Sequence, residues 1–513
     1  MATYVRETVE LHGSFPDLIP QDAPATGWNN TNNVYFLNGE TRRVAGDLPV
    51  MGTPLTDPRT VCFYTDAAGQ PYWVYAGPGG IYCTDGVNHF DITPATGWTP
   101  EATGIYTSSS YNGFVIINCT TERPVYWPGT PASKCLPLPG WPNTWRCMSI
   151  RPHEQFLFAV GMLNEAGFQR VRWSDAAEAG TMPQQWEATA ENLAGFVDCL
   201  PSHSPCIDGH TCRDAFLVFK GQSIHEFVFV GGNTVFNARR LFTGVGLAGV
   251  NGVTDGPSDQ LLFAGSDGDW YKTDGVQYAS VLEGIAQQTF YSESDEDLLG
   301  KLASVTLSRL SISWLFYPMR GETIANRAIC YTWATGEVSF RDMQPVFSAA
   351  SGRLLSDATL QNSWDGAVGV WNTDRNVWNY SLSGSTGEDV IAGVDGASLL
   401  AFENSDIEAN PLPGYAIKQG LAFGDAQRRK MVKAIWPKVR GALGDQILIR
   451  AGGQETTNGP VTWSDAQPYV IGSGLPVETF VEGRYLALEV SSENGSPWAL
   501  GTIDVEFRGL GLW

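Results

Sequence analysis

Tyr72-Trp73-Val74-Tyr75, a turn at Gly79-Gly80, then Ile81-Tyr82-Cys83: this stretch sets a pattern that recurs seven times between residues 60 and 390. Each unit is a short apolar run, a Gly-rich or polar turn, and a second apolar or aromatic run. Residues 114–117 are answered by Val125-Tyr126-Trp127, residues 156–160 by Val171-Arg172-Trp173, and residues 216–219 by residues 224–227. Leu261-Leu262-Phe263 precedes Trp270-Tyr271, residues 312–317 precede Ile329-Cys330-Tyr331, and residues 368–371 precede residues 377–380. The second members fall roughly 45 to 60 residues apart, the period of a four-stranded blade in a β-propeller. A lone sheet of this size cannot bury both faces, so the units must pack side by side around a ring. The ring predicts a disc with a central hole, suited to a scaffold, a conduit or a ligand platform. If the first or last unit shares in a closing blade, the ring has six blades rather than seven; six is the favoured count.

Composition agrees with an all-β fold. Eighteen Trp, 18 Tyr and 24 Phe, with 57 Gly and 30 Pro, describe short strands between tight turns. The hydrophobic share of 43% over 513 residues is enough for a large core. Net charge is −22 with only 17% charged residues, so the acidity comes from scarce Lys and Arg. Without a basic stripe the chain has nothing with which to grip phosphates, which excludes tight nucleic-acid binding and disfavours anionic lipid. No apolar run approaches the roughly 18 residues that cross a bilayer, so no membrane insertion is expected. The opening Met1-Ala2-Thr3-Tyr4-Val5-Arg6-Glu7 lacks the basic-then-apolar pattern of a secretory signal, which predicts cytoplasmic synthesis. Nine cysteines do not form a disulfide framework; Cys83, Cys119 and Cys330 lie in apolar runs and read as small buried hydrophobes.

Three regions are expected. Residues 1–50 form an opening segment, in which Gly27-Trp28, Asn33-Val34-Tyr35-Phe36 and Asn38-Gly39 read as strand, turn and strand. Residues 51–410 form the propeller. Beyond the Pro411-Leu412-Pro413-Gly414 boundary, residues 411–513 alternate in the manner of half-buried strands and predict a small β-sandwich platform. The opening segment needs a sheet to pair with, so it is expected to join that platform. Two stretches carry helical signal, 182–193 and 285–301. The second has an acidic middle at Glu293, Asp295, Glu296 and Asp297, which reads as a solvated face or as a surface toward DNA or a partner.

Chemistry-bearing residues are sparse. Cys199, His203, Cys206, His210 and Cys212 place five potential metal ligands within fourteen positions. Zinc sites normally use paired C-x2-C or H-x3-H spacing, and these gaps do not match. The set is read as loop residues, with a Cys199–Cys206 disulfide or a metal site as alternatives. Gly265-Ser266-Asp267-Gly268-Asp269-Trp270 resembles the Asp-box turns of sialidase-type propellers, with weaker echoes at Trp173-Ser174-Asp175 and Asn372-Thr373-Asp374. Such turns are structural: the Asp bonds turn amides and the Trp fills the groove between strands. A glycosidase needs two opposed carboxylates and, in the sialidase case, an arginine cluster, but the pairs Arg42-Arg43, Arg239-Arg240 and Arg428-Arg429 lie beside turns or in the boundary region. His12, His89 and His153 have no nearby acid in an arrangement that suggests a triad, and His225-Glu226 alternate across a strand, so they face opposite sides. No phosphate loop, nucleophile elbow or H-E-x-x-H motif occurs, and neither catalysis nor a cofactor is predicted.

Taken in order, several stretches resemble the tail nozzle proteins of short-tailed bacteriophages, the family that includes tail tubular protein B and the packaged-DNA stabilisation factor. They are the opening hairpin from Gly27-Trp28 to Gly46, then Arg172-Trp173-Ser174-Asp175 with Pro183 and Trp186, then Phe216-Leu217-Val218-Phe219 through Ser223-Ile224-His225-Glu226-Phe227. The order continues with residues 244–249, Leu261-Leu262-Phe263-Ala264, Ser266-Asp267-Gly268-Asp269 and Thr273-Asp274-Gly275. Residues 437–441 and 447–453, Trp463-Ser464, residues 483–488 and Trp498 complete it. Each piece is weak alone, but the set spans most of the chain. One departure is the terminus: such chains often end in a basic Gly-x-Arg, and this one ends Arg508-Gly509-Leu510-Gly511-Leu512-Trp513. The resemblance implies a homo-hexameric ring in the virion tail, below the portal and its adaptor, with a propeller in each subunit. Such a ring extends the ejection channel for double-stranded DNA without specific binding, and docks tail fibres or spikes. The alternative is a propeller that binds or cleaves glycans, of sialidase-like type.

Overall fold

A computed structural model describes residues 4–511 apart from 164, 166–167, 201–202, 233, 354–387, 406–411 and 494–496. Five successive antiparallel sheets of four strands come first. Blade 1 is Thr60–Thr65, Pro71–Gly77, Gly80–Thr84 and His89–Asp91. Blade 2 is Tyr106–Tyr111, Phe114–Cys119, Val125–Trp127 and Leu136–Pro137. Blade 3 is Cys147–His153, Phe156–Met162, Arg170–Trp173 and Gly195–Asp198. Blade 4 is Cys206–Cys212, Ala215–Lys220, Ser223–Phe229 and Phe236–Thr243. Blade 5 is Val253–Asp255, Leu261–Ala264, Trp270–Thr273 and Tyr278–Ser280. The quoted apolar pairs are the second and third strands of these blades. Every residue of Phe156–Met162 and of Ala215–Lys220 is buried, because neighbouring blades cover both faces. The outermost strand Phe236–Thr243 is mostly open to water.

A seven-stranded sheet completes the ring and holds two blades. Ala303–Leu307, Ile312–Tyr317, Ala325–Thr332 and the first half of the 17-residue strand Glu337–Arg353 make blade 6. The second half of that strand is the inner strand of blade 7, followed by Glu388–Val394, Ser398–Ser405 and, outermost, Gly46–Pro49 from the start of the chain. Among the described residues the β-propeller therefore has seven blades, and the favoured count of six is corrected to the seven held possible. Successive hairpins could not reveal it: one long strand serves two blades, and the last strand comes from about 350 positions upstream, where loop closure is costly and leaves no local pattern. The seventh pair, 368–371 with 377–380, lies outside the described residues.

Two six-stranded sheets form the second body. One runs Val34–Leu37, Glu40–Arg43, Trp498–Gly509, Lys430–Gly441, Val477–Gly483, with Val5–Glu10 also along Trp498–Gly509. The other runs Asn30–Asn32, Gly414–Leu421, Tyr485–Ser492, Gln446–Gln454, Thr462–Trp463, with Gln467–Val470 also along Gln446–Gln454. Between them lie Trp28, Phe36, Ile435, Ile449, Leu488, Trp498 and Val505. Both buried indoles find acceptors, Trp28 Nε1 on Thr41 Oγ1 at 2.8 Å and Trp498 Nε1 on Ser492 Oγ at 2.9 Å.

Strand Val34–Leu37 joins the two bodies. Side chains alternate across a strand, so Val34 and Phe36 enter the sandwich core while Tyr35 enters the core of blade 6 beside Trp314 and Phe316. Asn33, with a left-handed φ of 54°, accepts from the Asp342 amide at 2.8 Å and donates to the Pro413 carbonyl at 2.8 Å. Asp17 accepts from the amides of Gln288 at 2.6 Å and Thr289 at 2.9 Å, capping helix α1 (Gln287–Glu293) from the sandwich side. Within the predicted helical stretch 285–301, α1 is the helix, and 182–193 is a loop. In that loop Asn192 bonds the Thr189 amide and the Glu187 carbonyl, local bonds that compete with helix, while Trp186 packs edge-on against Trp141. No helix among the described residues is long and apolar enough to cross a membrane.

Candidate functional site

The inner strands meet at the hub, and their short polar side chains form a collar around it. Ser348 Oγ of blade 7 accepts the Val61 amide of blade 1 at 3.0 Å, and the Thr60 and Ser108 hydroxyls meet at 2.7 Å. The Ser108 carbonyl of blade 2 accepts from Arg151 Nη1 of blade 3 at 3.2 Å. Arg151 clamps Asp208 of blade 4 with both ends of its fork, at 2.8 and 2.7 Å, and reaches Asn251 Oδ1 at 2.8 Å. The Asn251 amide, at the start of blade 5, closes on Asp208 Oδ2 at 3.0 Å, and Ser304 of blade 6 donates to the Asn251 carbonyl at 2.8 Å. Blades 6 and 7 share a strand, so the chain of bonds is continuous around all seven.

Local backbone geometry aims these groups. A register shift between Cys206 and Asp208 turns the aspartate inward, as bulges commonly do. Asn251 sits at φ 63°, a conformation asparagine tolerates. The Asp208 side chain is 2% exposed and that of Arg151 17%. Burial alone would raise the Asp208 carboxyl, but the Arg151 charge and hydrogen bonds, with the Asn251 amide and the Ser149 hydroxyl, hold it below its ordinary value. Asp208 is thus ionised and saturated, with no proton to give and no lone pair aimed at a ligand. Near Arg151 and Ser108, burial pushes the Cys62 thiol up to about 12. His153 is buried among Phe158, Phe216 and Phe236, and burial lowers its pKa. These bonds tie neighbouring blades to one another around the hub.

The five candidate ligands do not converge. Cys206 and Cys212 lie at opposite ends of one strand, about 20 Å apart at the usual rise per residue. His210 donates from Nδ1 to the Thr211 carbonyl at 3.0 Å, and His203 is exposed. Cys199 and Cys206 do touch, thiol to thiol, in a buried cluster with Phe216 and Trp173. Among the described residues no group of three or more His, Cys, Asp or Glu is placed to hold a metal.

The acidic stretch lies on the blade 5 to blade 6 connection, away from the hub. Glu293 accepts from Tyr317 Oη at 3.1 Å and pairs with Arg327 at 2.9 Å, and Asp295 pairs with Lys301 at 2.9 Å. Glu296 and Asp297 are exposed. At the Asp-box-like turn Trp270 is fully buried, and Asp269 accepts from the Trp270 amide at 2.7 Å while also taking Ser280 and, from α1, Gln287; Asp267 instead takes the Tyr271 hydroxyl at 2.6 Å. Asp175 does bond loop amides, those of Ala176 and Leu193, both at 2.9 Å. Asn372-Thr373-Asp374 lies outside the described residues. His12 has an acid after all, Glu337 at 2.7 Å, supplied across the seam between the bodies. Arg151, Asp208 and Asn251 escaped the sequence reading because they lie 57 and 43 positions apart and match no motif.

No family model and no curated protein matches the chain. Among solved structures, it aligns with an inactive variant of virginiamycin B lyase from Staphylococcus aureus crystallised with quinupristin, at 12% identity and a TM-score of 0.41 over 70% of this chain and 98% of that one. It also aligns with the WD40 β-propeller domain of Doa1 at 11% identity, a TM-score of 0.40 and coverage of 71% and 98%. Superpositions this loose decide nothing by themselves; the fold rests on the sheets and their order.

Proposed function

We propose that this chain is a structural, non-catalytic virion protein: a subunit of a hexameric tail nozzle that continues the DNA channel below the portal and adaptor and anchors fibres or spikes. The reading starts from the ordered resemblance along the sequence. The observation that carries it against a hydrolase is the hub, where the deeply buried carboxylate is already saturated by Arg151 and Asn251. A rigid wheel seamed to a two-sheet platform suits a building block that must hold its shape under load. Six copies each carrying −22 would present a wall that repels phosphates, so that DNA slides without sticking. On this reading the protein is made and assembled in the host cytoplasm and acts in the tail.

Lateral contacts have a candidate surface. Among the described residues strand Val477–Gly483 pairs on one side only, with Lys430–Gly441. It carries Phe480 at 67% exposure, and Leu443 and Leu475 are also exposed. Electron microscopy of the purified protein, alone and with a portal and adaptor complex, tests the proposal. Six-fold rings that add to the adaptor are expected; a monomer that cleaves a glycan, and stops when one carboxylate is neutralised, would establish the sialidase-like alternative instead.

A further inference from the structure

A groove of about 660 Å³ opens in the sandwich between strand Val5–Glu10, the loop 20–26 and the end of strand Gly414–Leu421. Its volume lies within the range of small-molecule sites, about 300–1,000 Å³. Lys418 lines it and is 2% exposed. The Lys418 ammonium donates to the Pro24 carbonyl at 2.8 Å, and among the described residues it has no carboxylate partner. An ammonium has three donors, so two are left over, and a buried cation without a counter-charge is costly. Lys430, the other buried lysine of this body, is the contrast: it reaches the carbonyls of Asp425, Arg428 and Arg484. A third observation concerns Phe423, which lines the same groove at φ 43° while packing on Phe507 at 4.8 Å. A phenylalanine held in the left-handed region is strained, and such strain collects where a surface has been shaped for contact.

We propose that this groove binds a small hydroxylated carboxylate of the uronic acid class, its carboxylate on Lys418 and its hydroxyls on Glu7, which shares the core-side face of its strand with Val9. The rim argues for hydroxyls, because an ionised glutamate only accepts hydrogen bonds. Val9, Leu421 and Phe423 supply apolar surface for the C–H face of a pyranose. A phosphate dianion is the poorer fit, since the rim carboxylate and the net charge of −22 repel it more than a singly charged ligand. Burial holds the Lys418 amine down at about 8, so it is cationic at neutral pH and loses its charge just above. The groove lies apart from the hub and from the exposed edge strand, and it does not depend on the tail reading.

Calorimetric titration of the full chain with D-glucuronate, D-glucose and inorganic phosphate tests this. Glucuronate should bind at least about ten-fold more tightly than either of the others. Its affinity should fall as pH rises through about 8, and Lys418→Met should lose it. A uronate oligosaccharide arm separates the sources: tighter binding than the monosaccharide points to a polymeric glycan, weaker binding to a free sugar acid, and either upholds the class. Equal glucuronate binding by the Met variant, no binding by the wild type, or tighter binding of phosphate would overturn it. Should the variant fold poorly, mass spectrometry on the unmodified sequence gives a second readout: glucuronate must protect Lys418 from trace acetylation, and unchanged labelling sinks the idea.

Discussion

At the scale of single residues, the hub pair is where charge and burial oppose most directly. Removing one partner of a buried ion pair strands the other, so Asp208→Asn should cost about 3–5 kcal/mol in urea unfolding. Replacing both, Arg151→Met with Asp208→Leu, should cost far less. Because the Asp208 carboxyl is held below its ordinary value when folded, its contribution is complete above the unfolded pKa of about 3.9 and fades as pH falls through the lower folded one. The stability gap between wild type and Asp208→Asn should therefore narrow below pH about 4. His225 works in the opposite range. Burial, with Lys220 and Arg240 nearby, lowers it to about 4, so from about pH 6.5 down to 4 the unfolded chain takes up the proton first and stability falls. His225→Asn should flatten that segment of a melting temperature against pH curve.

At the scale of elements, strand Val34–Leu37 does the work of two, with one face in each core. Phe36→Ala should cost about 3–5 kcal/mol, the usual range for a fully buried phenylalanine, and should loosen the sandwich before the propeller in hydrogen exchange. Strand Gly46–Pro49 is also placed by distant partners, since it pairs with Ser398–Ser405. Removing residues 1–50 should bare that strand and take partners from both sandwich sheets, giving aggregates rather than a soluble truncated wheel on size exclusion. The second and third strands of blades 1 to 6 were legible because burial on both faces forces continuous apolar runs. Inner strands such as Cys206–Cys212 were not, because Asp208, Gly209, His210 and Thr211 interrupt any apolar run.

At the scale of the whole molecule, the collar makes the propeller one stiff body, and the seam at Asn33, Asp17 and His12 couples it to the platform. If copies associate through the exposed edge strand, Phe480→Glu should abolish rings in electron micrographs while leaving the melting temperature within a degree or two, since Phe480 is already in water. A large loss of stability with that change would instead place Phe480 in the fold of the subunit.

The class of fold was written in the sequence, in repeated apolar pairs at blade spacing and abundant aromatic and turn residues. These are local or compositional properties, written into a few consecutive positions. Tertiary structure alone decided the blade count, the Arg151–Asp208–Asn251 collar and the isolation of Lys418 in its groove. Each depends on residues tens to hundreds of positions apart being brought within hydrogen-bond reach, and short-range periodicity holds no record of such meetings.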